Sequence, residues 1–265
     1  MVTLWATTPL AQSQRPLPGG APDVLVGPAL TVAVAVSEAL EPDRLRSLAR
    51  PGVSVWMTTR SNTLAESTVE NLARFDGAWV FVRAPFSAAD AATFLRLPRA
   101  GAWGALEVME RVRQRLGPRR LAVEIEGPLD EALFTRIDRL RPAVVRWRPK
   151  GVVDLLSWSL LRGLGGRKVL VVPPEFLLPV ACAKRTGVDP AVELHVGELL
   201  AMNSDVFPCG RGTRVIVEPE TDQWLLQSLV VRESSLELVV AVGADAEKAS
   251  RSSRLLDALG LGPGR

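Results

Sequence analysis

The 265-residue chain contains no tyrosine, one histidine and two cysteines, and only four of its 32 basic residues are lysines. Each scarcity removes a class of chemistry. Histidine is the usual general base near neutral pH and the commonest metal ligand, so one copy, His195, excludes a multi-histidine metal site. A Ser–His–Asp triad would have to be built on that residue. Cys182 and Cys209 are too few for a disulfide framework or for an iron–sulfur cluster held by the chain alone. No run of about 20 apolar residues is present, as a bilayer span requires. The opening MVTLWATTPLAQSQRPLPGG lacks the basic front and apolar centre of a secretory signal, so a cytoplasmic location is expected.

What is present is ordinary for a folded domain. Hydrophobic residues make up 47% and charged residues 23%, enough for one large α/β unit. The net charge of +3 comes from arginines dispersed among acids, whereas a nucleic-acid binder gathers them on one face; this argues against nucleic acid as a partner.

Short β-branched runs alternate with amphipathic stretches. Strands are expected at 2–8, LTVAVAV (30–36), VSVWMTT (53–59), AWVFVRAP (78–85), RLAVEIEG (120–127), VVRWRPK (144–150) and KVLVVPPEF (168–176). Helices are expected between them, with two helical pieces around PRAGAW (98–103). From residue 30 to 176 most strands recur roughly every 24 residues, the length of one strand, one helix and two short loops. That alternation predicts an α/β fold: a partial or complete (β/α) TIM-like barrel with a less regular C-terminal extension. The barrel core is placed at 1–178 and the extension at 179–265, within one globular unit. In the extension a helix is expected at about 190–202. The stretch 213–230 reads as a hairpin or as a strand plus helix, and a final strand and helix close the chain.

The order of these segments resembles the radical SAM superfamily. VSEALEP (36–42) stands where that family has a Gly-Gly-Glu-Pro strand end. TTRSNTLAESTVENLARF (58–75) is similar to its Thr-Asn-Gly strand end and following helix, and FLRLPRAGAWGALEVMERVRQRLG (94–117) to its Arg-Gly segment and helix. FPCGRGTRVIVEPETDQWLLQS (207–228) is similar to the extension that often holds auxiliary clusters. The resemblance implies a partial barrel. Where the family has Cys-x-x-x-Cys-x-x-Cys, however, this chain reads TTPLAQSQRP (7–16), without the thiolates that grip a cluster. The implied protein is a degenerate member with neither iron–sulfur cluster nor S-adenosylmethionine. Its expected role is that of a partner protein for an active enzyme or its peptide substrate.

Candidate residues follow from strand alternation. Glu124 and Glu126 share one face opposite Val123 and Ile125; Arg146, Arg148 and Lys150 share one opposite Val145 and Trp147. With helices on the apolar faces, these charges point into the barrel. Ligands in such barrels bind at C-terminal strand ends, which adds Glu38, Thr58, Arg60 and Arg83 to the candidate ligand-binding set. The same charges equally describe an internal salt-bridge network that touches no ligand. The alternative function is a cofactor-free barrel lyase or hydrolase using Glu126, Lys150 and Glu218. Glu126 and Glu218 would act as a carboxylate pair, or Lys150 as a Schiff-base former. No metal site is expected. Gly210–Gly212 precede a strand rather than open a helix, which argues against a phosphate loop. His195 is expected inside a helix.

Overall fold

A computed structural model describes residues 30–151, 153–171, 190–195, 213–222, 225–226 and 236–261. Strand and helix alternate through the chain: β1 (Leu30–Ser37), α1 (Pro42–Leu48), β2 (Val53–Thr58), α2 (Glu66–Leu72), β3 (Gly77–Phe81), α3 (Ala88–Arg96) and β4 (Ala100–Ala105). They continue as α4 (Leu106–Leu116), β5 (Leu121–Glu126), α5 (Glu131–Leu140), β6 (Val144–Arg148), α6 (Leu155–Gly163) and β7 (Arg167–Val171). β8 (Ala191–His195), β9 (Thr213–Val217), β10 (Leu236–Gly243) and α7 (Ala246–Ala258) complete the described elements.

The ten strands form one closed parallel barrel, each bonded to its sequence neighbours, with β10 sealing it against β1. The architecture is α/β and TIM-like, with two strands more than the common eight. The outward residues of the strands pack under the helices: Val34, Val55, Val80, Val123, Val145, Leu170, Val215 and Val240 are all buried. α3 begins with a capping box in which Ser87 and Asp90 exchange side-chain and backbone bonds, and Asp130 and Asp154 cap α5 and α6.

Three expectations change. The PRAGAW segment is not a connection between helices, because Ala100–Ala105 is β4, paired with β3 and β5. Its alanines and glycines have little β-propensity, and the strand exists because two neighbours complete its hydrogen bonds. The stretch expected as a helix at 190–202 contains β8 instead; Val192 and Leu194 face the helical layer, and both edges pair with β7 and β9. His195 therefore ends a strand, exposed. The segment 179–265 supplies three of the ten strands, so its described part is barrel wall rather than an extension packed on a barrel. β9 lies between β8 and β10, both parallel to it, which leaves no edge for a hairpin mate at 213–217. The expected strand at 2–8 and the residues 182, 184 and 207–212 lie outside the described residues.

Candidate functional site

Eight strands enclose a lumen that inward side chains just fill, and ten enclose a wider one. Here many inward positions are small: Ala33, Ala35, Ser37, Ser54, Gly77, Gly101, Ala105, Ala122, Ala191 and Ala241. The result inverts the usual order of burial. Inward Ala35, Trp79, Phe81, Trp103, Glu124, Arg146, Val171, Ile216 and Ala241 are only half-buried, and Ala105 is exposed, while the outward residues beside them are sealed. The upper lumen is therefore open to solvent, and it is the candidate site.

One wall is aromatic. Trp56 of β2 stacks on Trp79 of β3 with ring centroids 5.5 Å apart and planes at 21°. Trp103 of β4 meets Trp56 edge-on at 5.7 Å and Phe81 edge-on at 4.7 Å. Such offset and T-shaped contacts suit ring quadrupoles and make the wall rigid.

The opposite wall is ionic. Arg146 bonds Glu124 through one terminal nitrogen and grips Glu193 with the other at 2.5 Å and with Nε at 3.1 Å. Arg214 Nε lies 3.2 Å from Glu193 and 3.7 Å from Glu237, and Arg167 pairs with Glu237. The three arginines and three glutamates balance. The Arg214 guanidinium also lies 4.7 Å from the Trp56 ring centre, a cation–π contact that joins the two walls across the lumen. Burial disfavours the Glu193 carboxylate, but the hydrogen bonds from Arg146 and the charges of Arg214 and Arg146 outweigh it and hold its pKa below the ordinary value. Burial also lowers Arg214, although a guanidinium stays protonated throughout the accessible range.

Of the residues expected from the sequence, Glu124 and Arg146 lie in this network, with Glu124 23% exposed and Arg146 17%. Glu126 and Arg148 face each other at 3.9 Å on the rim, both well exposed. Thr58, Arg60 and Lys150 are exposed at the ends of β2 and β6, and Glu38 is half-buried after β1. Arg83 lies 5.0 Å above the Phe81 ring. Glu218 is drawn to Lys248 of α7 at 2.8 Å. It is therefore committed to an ion pair of its own.

Sequence reasoning missed Trp56, Trp79, Trp103, Glu193, Arg214 and Glu237. The signal was available for Trp56, because Val53, Val55 and Met57 face the helices and alternation turns Trp56 inward. It was hidden for Glu193, whose strand reads as helix. Asn62 was missed too: it donates to the carbonyls of Arg83 and Pro85, each at 2.6 Å, and accepts from Arg83 N at 2.8 Å. It thereby ties the β2 rim loop to the β3 rim loop.

Among the described residues no group of three or more His, Cys, Asp or Glu side chains could hold a metal ion, and no helix is long and apolar enough to cross a membrane. A cleft of about 270 Å³, lined by Leu72, Phe75, Leu97 and Arg99 among others, lies at the N-terminal strand ends, away from the rim. Fold and site define the class: a closed, all-parallel, ten-stranded TIM-like barrel with an open lumen, aromatic on one wall and ionic on the other. No family model matches the chain, and no curated protein matches it in sequence.

Proposed function

We propose that this barrel is a binding protein without catalysis of its own, and that its rim takes an acidic segment of another protein, either an active peptide-modifying enzyme or its peptide substrate. The observation that carries the reading is the charge on the rim. Arg60, Arg83 and Lys150 stand exposed there with no ion pair to a described residue, whereas the arginines of the ionic wall lie against carboxylates. Unpaired cations around an opening attract anionic partners and speed their encounter.

Two features support the non-catalytic part. Glu124 and Glu193 are both tied to Arg146, and Glu193 is held ionised, so these carboxylates grip rather than shuttle protons. Glu218, one half of the proposed carboxylate pair, is engaged by Lys248. The resemblance to radical SAM barrels implies a partial barrel and this one is closed, so it is a likeness of sequence segments. With no cysteine in the stretch matching the cluster loop, it fits the same role, a cluster-free and cofactor-free relative retained as a partner protein.

The test is fluorescence anisotropy with a labelled oligoglutamate peptide. Saturable binding that weakens with salt is expected, and the triple variant R60E/R83E/K150E should lose at least about tenfold in affinity, since each lost charge contact contributes on the order of 1 kcal/mol. Equal binding of wild type and variant, or of oligolysine and oligoglutamate, would overturn the reading.

A further inference from the structure

We infer that the open upper lumen is a site for a small, uncharged, planar heteroaromatic ligand with a lactam edge, meaning a ring N–H beside a ring carbonyl. Three observations converge on this class. The first is space with a flat wall. Trp79, Phe81 and Trp103 are half-buried although they line the inside of a closed barrel, and Ala105, the next inward residue of β4 after Trp103, is exposed. An alanine there places only a methyl group above the Trp103 ring. Aromatic faces held edge-to-face and stacked against one another form a fixed surface on which a planar ring stacks with little loss of side-chain entropy.

The second is a polar edge beside that surface. Ala105 is register partner to Glu124, and Trp103 to Ala122, so Glu124 stands on the adjacent strand, one inward step above Trp103. Glu124 uses Oε1 for Arg146, which leaves Oε2 as an acceptor. Arg146 has five N–H groups; Nε and one from each terminal nitrogen go to Glu193 and Glu124, which leaves two donors. Both side chains keep part of their surface in the lumen. An acceptor and a donor side by side on an ion pair complement a lactam, which offers N–H to the carboxylate and C=O to the guanidinium.

The third is charge. Glu124, Glu193 and Glu237 are matched by Arg146, Arg167 and Arg214, so the site has no net charge to spare for an ionic ligand. An uncharged ring leaves that balance intact. The rim cations invoked for an acidic partner play no part in this site, so the two proposals stand or fall separately.

The probe is lumazine, pteridine-2,4-dione, titrated into the whole protein at a pH where it is uncharged and followed by quenching of protein and probe fluorescence. Saturable one-to-one binding is expected, and 1,3-dimethyllumazine, which keeps the ring and carbonyls but has no N–H, should bind at least about tenfold more weakly, the scale of one hydrogen bond to a charged group. E124A should lose binding by a similar factor, and W103L should lose the quenching. R60E/R83E/K150E should bind lumazine as wild type does, whatever its affinity for oligoglutamate. Melting curves identify any variant that fails to fold; the lumazine and dimethyllumazine comparison needs no variant. Absence of saturable lumazine binding, equal binding of the methylated analogue, or unchanged binding in folded E124A would each overturn the inference.

Discussion

Gly101 owes its identity to the ring beside it. A Cβ at this position would stand 2.3 Å from Trp79 Cζ3, 2.7 Å from Cε3 and 2.9 Å from the Arg120 carbonyl. The indole is also stacked on Trp56, with ring centroids 5.5 Å apart, so moving it disturbs that stack. G101A should therefore destabilise the fold by about 1–3 kcal/mol, the cost of overpacking a filled site, as read from denaturant midpoints. It should also shift tryptophan emission by displacing Trp79 from its stack. A variant as stable as wild type, with unchanged emission, would mean that the aromatic wall is looser than these contacts imply. At this scale the sequence is partly legible: Ala100–Ala105 carries two glycines that look like loop residues until the indole of the adjacent strand explains one of them.

Among the elements, α1 and α7 hold the seam where the last strand meets the first. Arg50, in the connection from α1 to β2, is 4% exposed. It binds the Asp257 carboxylate, the carbonyls of Ser47, Ser253 and Leu261, and the Ser253 hydroxyl. One guanidinium thus closes both ends of the chain's described span, because β1 precedes it and β10 and α7 lie some 200 positions later. Charge-assisted bonds of this kind contribute about 1.5–3 kcal/mol each to stability when buried. R50A should cost about 3 kcal/mol or more, and R50K should recover only part of it, because an ammonium cannot reproduce a planar fork reaching several carbonyls. Hydrogen exchange is the check: amides of β1 and β10 should lose protection first. Arginine 50 carried no sequence signal at all. All of its partners but Ser47 are more than 200 residues away, and nothing local distinguishes it from the exposed arginines of α1.

For the molecule as a whole, the ionic wall ties stability to pH. Glu193 has its pKa held below the ordinary glutamate value of about 4.3, so the unfolded chain binds the proton more readily than the folded one. The stabilisation is complete above that ordinary value and is lost as pH falls through the lower folded value. The melting temperature should be flat from neutral pH to about 5 and then fall steeply. E193Q should melt lower than wild type from neutral pH down to the acid limb, where the two curves should converge, so its acid fall is shallower. At neutral pH Arg146 and Arg214 lose a buried carboxylate at a cost of about 3–5 kcal/mol. An unchanged acid limb in a folded E193Q would show that other carboxylates govern acid unfolding.

The repeated strand–helix alternation, the outward apolar residues Val53, Val55, Val123 and Val145, and the inward turn of Glu124 and Arg146 were all determined by the sequence alone, because periodicity is a local property that each segment carries by itself. Closure, the number ten and the open lumen were decided only by the tertiary structure. Each depends on pairings between residues far apart: β1 with β10, Arg146 with Glu193, Arg214 with Trp56. β8 makes the point most sharply. Ala191–His195 is composed like a helix and becomes a strand because β7 and β9 each present it with an unpaired edge, and hydrogen bonds available on both sides outweigh a weak local preference.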